Sequence, residues 1–394
     1  MNQPGCHAQA DCCQHTIGMR AIPSGGDGVL RIPAKTPFQT TEDSNMSLFN
    51  PHAPRIHVLW ALLAFLTGVV ALNAQPDPQE RLVFVTLDRD TRTMTLSTVS
   101  PNGGPPAPLV VDGYFANPMW SPDGQQLAFI GRVRDHDRPA LWVMNSDGTN
   151  LHRVLAESRT GPHAECAAWS PDGTRFAVGA TNAAQGIDIF LVSSNGGEPG
   201  RIRFTGLPNV LDGVPGDVGS PCVAWSADGT SLAVLGRTPD DRGWQLYRVS
   251  LDGSSATPLI ADPAAATELH HAAWSPDGMN MAFTPQFSSV VGPPIALAIT
   301  SGDGSAMLVR VGPPPNYASS ASWSPDSSQI AFVAMEQGVE TMPQGDVWIV
   351  HRDGTGVHSL GTGINVSGLG LSWARLPDGV NLPVAPVSFA SATG

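Results

Sequence analysis

Hydrophobic positions in this chain come in short alternating runs bounded by turn residues, not in long helical stripes. QQLAFIG at 125–131 and TRFAVGA at 174–180 are two such runs, and each reads as a β-strand. Each follows the same polar turn, WSPDG, at 120–124 and 169–173, which returns at 274–278. Looser copies stand at 225–229 (WSADG), 323–327 (WSPDS) and 373–379 (WARLPDG). Within such a turn proline presets φ, glycine takes the end that favours positive φ, and aspartate accepts hydrogen bonds from the backbone just after it. The turn therefore joins two antiparallel strands. A third strand ends in a second turn, as in LWVMNSDGTN at 141–150 and VWIVHRDGT at 347–355. A short fourth strand, such as LHRVL at 151–155, completes the unit.

Trp120, Trp169, Trp225, Trp274, Trp323 and Trp373 mark the repeat, roughly 50 residues apart. Four strands in that length, repeated, predict an all-β fold of β-propeller blades. Each of these flat side chains is expected to pack between neighbouring blades. Residues 81–112 hold three strands with no Trp-turn before them, and LGLSW at 369–373 is a first strand with no blade after it. Joined, they make one sheet. The expectation is a six-bladed β-propeller, four antiparallel strands per blade, closed by a blade shared between the two ends of the repeat array.

Composition narrows the function. Charged residues are 14% of the chain, against about 25% in a typical soluble domain, while 42 glycines and 36 prolines suit many tight turns. The net charge is −13 with scattered basic residues, which argues against nucleic acid as a partner. Residues 58–72 form the one long apolar run. Counted from Met46, with Arg55 and His57 before it and Ala74 after it, the run reads as a signal peptide. As an uncleaved anchor, 56–74 is long enough to span a membrane. Either reading exports the rest, to the periplasm or the cell exterior, with that segment as the sole membrane contact. The expected organisation is thus a disordered tail at 1–45, upstream of the true start if Met46 is that start, the targeting segment at 46–74, a propeller at 80–379 and a flexible tail at 380–394. The chain is expected to act as a monomer.

The WSPDG turn, its LAF strand and the later x-V-x-x-x-DG strand resemble the repeat of TolB-like propellers, a relative of the WD-repeat group, over about 81–379. Ala227 for Pro, Ser327 for Gly and the insertion before Pro377 depart from that pattern. TolB carries an α/β domain before its propeller and partners an envelope lipoprotein. Only a few residues separate Ala74 from the first strand, so no such domain is expected there, and the resemblance implies the propeller and not that role. Related propellers in prolyl peptidases accompany an α/β-hydrolase domain, whose G-x-S-x-G elbow is absent, as are P-loop, HExxH and GxGxxG motifs. Two readings stand: a non-catalytic scaffold binding a protein or peptide in the cell envelope with no cofactor, and a propeller enzyme, a polysaccharide lyase or hydrolase using His and a metal at the central channel mouth. The enzyme reading comes from the resemblance to pectin-fragment lyases, which use His and a metal in the central cavity, and His163, His270 and His271 attach to it.

Two sets of residues are candidates for function. Connections from second to third strand and from fourth to the next first strand share one face, and they are long and unlike one another. They put Arg134, Asp135, His136, Asp217, Asp240 and Asp241 on an expected binding face. The residue three before each Trp is expected at the mouth of the central channel: Asn117, Cys166, Cys222, His271, Ser320 and Gly370, with Glu165 and His270 one step earlier. For the two cysteines three readings compete: packing, a disulfide suited to an exported protein, and a divalent metal held with Glu165 and His271.

Overall fold

The computed structural model describes residues 79–392 apart from 89, 133–138, 156–163, 182–186, 204–222, 238–243, 260–268, 286–296, 305–306, 312–316, 336–343 and 362–365; at some strand positions only the backbone is described. The chain divides into two compact units, Met1–Ala71 and Leu72–Gly394, and every described residue belongs to the second. The targeting segment at 46–74 lies outside the described residues.

The first three strands are β1 (Glu80–Asp88), β2 (Thr93–Val99) and the long β3 (Ala107–Trp120). The first part of β3 pairs with β2 and its second part with β4 (Gln126–Arg132), so β3 serves two blades in turn. The first full blade is completed by β5 (Ala140–Asn145) and β6 (His152–Arg153). The second is β7 (Ala164–Trp169), β8 (Arg175–Thr181), β9 (Ile187–Ser193) and β10 (Gly200–Arg201). The third is β11 (Val223–Trp225), β12 (Ser231–Arg237), β13 (Trp244–Ser250) and β14 (Ala256–Pro258). The fourth is β15 (Leu269–Trp274), β16 (Asn280–Pro285), β17 (Leu297–Ser301) and β18 (Met307–Val311). The fifth is β19 (Tyr317–Trp323), β20 (Gln329–Met335), β21 (Gln344–His351) and β22 (His358–Ser359).

Closure follows the sequence expectation. The strand β23 (Val366–Arg375) pairs antiparallel with β1, Leu82 opposite Trp373, and so supplies the inner strand that the first three strands lack. Each inner strand packs on the next, β3 on β7, β7 on β11, β11 on β15, β15 on β19, β19 on β23, and β23 returns to β3. The cycle is consistent with six blades. All six repeat tryptophans are buried in hydrophobic clusters that join neighbouring blades. The guanidinium groups of Arg175 and Arg248 lie over Trp225 and Trp274 of the following blade, at 5.3 and 5.7 Å.

The repeated turn is a closed hydrogen-bond device. Ser121 Oγ donates to Asp123 Oδ1 at 2.6 Å, the Gln125 N–H donates to the same Oδ1 at 3.1 Å, and the Gln126 N–H donates back to Ser121 Oγ at 2.9 Å. The same three bonds recur around Asp172, Asp228, Asp277 and Asp326. Gly124 has φ +68, and a Cβ there would run into the carbonyl of Arg375, so no other residue fits.

The end of the chain departs from the expected flexible tail. Val387–Ser388 (β24) pairs in parallel with Val110 and Val111 of β3, and a single helical turn, α1 (Phe389–Ala392), follows. Phe389 is wholly buried against Phe115, Phe129 and Trp142, with ring centroids 5.0–5.6 Å away. Its ring occupies space left by Gly113, where a Cβ would stand 2.6 Å from it. The segment is a strap that plugs the cleft between the shared blade and the first full blade, and apolar burial holds it there.

Candidate functional site

Antiparallel pairing determines which connections share a face. In the five full blades the short turns join first to second strand and third to fourth, so they gather on one side. The connections flanking 133–138, 204–222 and 238–243 leave the strands on the opposite side. Arg134, Asp135, His136, Asp217, Asp240 and Asp241 fall in these connections and lie outside the described residues. On the turn face, each repeat aspartate commits a carboxylate oxygen to its own turn. The Ser170 hydroxyl, with the Thr174 backbone and hydroxyl, lowers Asp172 to about 2. The Ser250 hydroxyl and Ser254 do the same for Asp252, also to about 2.

Where the inner strands enter from the loop face, their ladders break. The register shifts between Ala116 and Met119 in β3, Ala164 and Cys166 in β7, Leu269 and His271 in β15, and Ser319 and Ser322 in β19. β23 shows a fifth break opposite Phe84 and Thr86. These are β-bulges at one level of the ring. Asn117 and Ser320 adopt φ +49 and +55 there although both are buried, and Gly370 has φ +129. A non-glycine residue holds such a conformation only where its surroundings impose it.

The residues expected at the channel mouth are described to different extents. Asn117 Oδ1 accepts the Ala167 N–H of the next blade at 2.8 Å, so this side chain ties two inner strands together. Cys166 is wholly buried and disulfide-bonded. A sulfur in a disulfide is no thiolate, and this removes one ligand from the metal set of Cys166, Cys222, His271 and Glu165. Cys222 lies outside the described residues. Glu165 and His270 stand at the bulges of β7 and β15, and His271 pairs with Thr284; of these three the backbone alone is described. His163 lies outside the described residues. Among the described residues no three His, Cys, Asp or Glu side chains gather as a metal site would need.

Sequence reasoning passed over other groups that stitch the ring. Trp169, Trp225 and Trp323 each donate Nε1–H to a carbonyl of the preceding inner strand, at Met119, Ala168 and Ala273. Ser322 and Ser372 accept the backbone N–H of Trp373 and Trp120 through their hydroxyls, at 3.0 and 3.1 Å. Trp120 Nε1 is buried with no acceptor among the described residues. The signal for these serines was visible: they stand one before the tryptophan, where three other blades carry Ala168, Ala224 and Ala273.

No protein-family model matches the chain, and no curated protein does. Solved structures do. TolB from Acinetobacter baumannii superposes with a TM-score of 0.57 at 17% identity, over 82% of this chain and 74% of that one. A protein assigned as TolB from Agrobacterium tumefaciens gives 0.52 at 20% identity, over 76% and 99%. The chain has the TolB-like propeller fold. At these identities the likeness to TolB-like propellers concerns the fold alone. An oligogalacturonate lyase in complex with manganese aligns over 70% of this chain at 14% identity, with a TM-score of 0.43 that carries no chemistry across to this TolB-like propeller.

Proposed function

We propose that this TolB-like propeller is an exported, non-catalytic binding module that holds a protein or peptide of the cell envelope on its variable-loop face. The observation that carries this reading is the asymmetry of the two faces. One face repeats the same self-satisfied turn in the five full blades, with its aspartates committed to their own serine hydroxyls and backbone. The other is built from connections of unlike length and sequence on a rigid ring, the usual location of recognition. The disulfide at Cys166 supports an oxidising compartment outside the cytoplasm.

Photo-crosslinkers placed at Asp135 and Asp240 on the loop face, and at Asp147 and Asp353 on the turn face, test the reading in intact cells. One protein should be captured from the first pair and not from the second. Reversing Asp240 and Asp241 to arginine should weaken that capture about tenfold, chiefly through slower association. Capture from the turn face alone overturns the face assignment. A stoichiometric tightly bound metal together with turnover of an acidic oligosaccharide overturns the non-catalytic reading.

A further inference from the structure

We propose that Cys166 and Cys222 form one disulfide that binds the second blade to the third at the channel mouth. Cys166 is disulfide-bonded, and the chain offers it four partners, Cys6, Cys12, Cys13 and Cys222. Cys222 is singled out by position. It directly precedes β11, and β11 packs on β7, the strand of Cys166. Cys166 shares a buried cluster with Val223 and Trp225, the residues just after Cys222. The other three cysteines stand more than a hundred residues upstream, in the first compact unit.

Repeat geometry gives an independent argument. Cys166 and Cys222 occupy equivalent places, each three before its blade's tryptophan. One blade earlier that place is held by Asn117, whose side chain crosses to the next inner strand and accepts the Ala167 N–H. A side chain at this level therefore reaches the neighbouring strand one residue past the equivalent position. One blade on, Cys166 stands just past the bulge of β7, buried in one cluster with Val223 of the neighbouring inner strand. A disulfide requires Cα atoms about 4.4–6.8 Å apart, so its partner must lie on an adjacent strand or connection. In this pair of blades a covalent bond replaces the hydrogen bond of the pair before it.

The chemistry balances with one external oxidant, a disulfide-bearing oxidoreductase of the thiol-exchange class. The two cysteine thiols lose two protons and two electrons and their sulfurs join. The oxidant's disulfide accepts those electrons and protons and leaves as a dithiol. The bond also fastens the end of segment 204–222, which carries Asp217. This last consequence rests on the loop-face reading, whereas the pairing does not.

The test uses the full chain, isolated without reductant and alkylated before digestion. Mass spectrometry should find the peptides of Cys166 and Cys222 joined, two hydrogens lighter than their sum and separable by reduction. Alkylated Cys222, free Cys166, or Cys166 joined to Cys6, Cys12 or Cys13 overturns the pairing. Thermal melts give a second readout. Cys166→Ser, Cys222→Ser and the double variant should each lower Tm by the same amount, about 5–10 °C, because a single bond is lost in all three. Losses that add in the double variant would show two independent residues and overturn the bond. No partner is needed for either measurement, so a failed crosslinking experiment leaves this result intact, and a failed pairing leaves the face assignment intact.

Discussion

Ser327 stands where the other full repeat turns have glycine, and it holds φ +61. For an L-residue that conformation costs about 1–2 kcal/mol. The hydroxyl offsets the cost, because Ser327 Oγ accepts the Asp277 N–H of the preceding blade at 3.1 Å. A hydrogen bond of this kind contributes about 1 kcal/mol, and losing it leaves a part-buried donor unpaired. Two substitutions separate the terms. Ser327→Ala keeps the strain and loses the bond, so it should destabilise by about 1–2 kcal/mol. Ser327→Gly loses the bond and relieves the strain, so it should stay within about 1 kcal/mol of the parent. Urea unfolding midpoints decide. Equal losses in both variants would mean that φ carries no strain there.

The repeat turn shows its chemistry at the scale of the element. Asp172 and Asp252 are held near 2, and Asp228, Asp326 and Asp353 below the ordinary carboxylate value of 3.8, because hydroxyls and backbone N–H groups of their turns donate to the charged form. A depressed folded pKa contributes stability in full above the unfolded value, and that stability is lost as pH falls through the folded value. The melting temperature should therefore fall between about pH 4 and 2 from this cause, and the turns should add no pH dependence above about pH 5. The double variant Asp172→Asn, Asp252→Asn should show a shallower acid slope in melts over that range. An unchanged slope would place the acid sensitivity elsewhere. These turns were legible in the sequence because all their bonds run within five residues. The substituted Ser327 was legible as a departure from the pattern, but its acceptor role joins residues 50 apart and leaves no local trace.

For the whole molecule, two C-terminal devices make different contributions. β23 supplies an inner strand of the ring, and the strap around Phe389 fills a cleft in its wall. A chain ending at 365 should lose closure, with a larger radius of gyration in solution scattering and no single cooperative melt. A chain ending at 376 should keep the ring and lose about 3–5 kcal/mol, the range for emptying a buried phenylalanine site. If the shorter chain melts like the full one, ring closure by β23 is wrong. If the longer one does so, Phe389 contributes nothing to the cleft.

The sequence alone determined the period, the turn chemistry, the alternation of the strands and the sharing of one blade between both ends of the array. All of these are local or strictly repeated, so each is written several times along the chain. The tertiary structure alone decided which residues break the repeat in order to join blades. Asn117 reaches Ala167, Ser372 reaches Trp120 across 252 residues, and Ser388 reaches Asp112 across 276. It also turned the last residues from an expected flexible tail into a strap, because the site for Phe389 is assembled from Gly113, Phe115, Phe129 and Trp142, on strands far upstream of it in the chain. A residue whose partner comes from a distant part of the chain has no periodic signature of its own, and its role exists only in the folded protein.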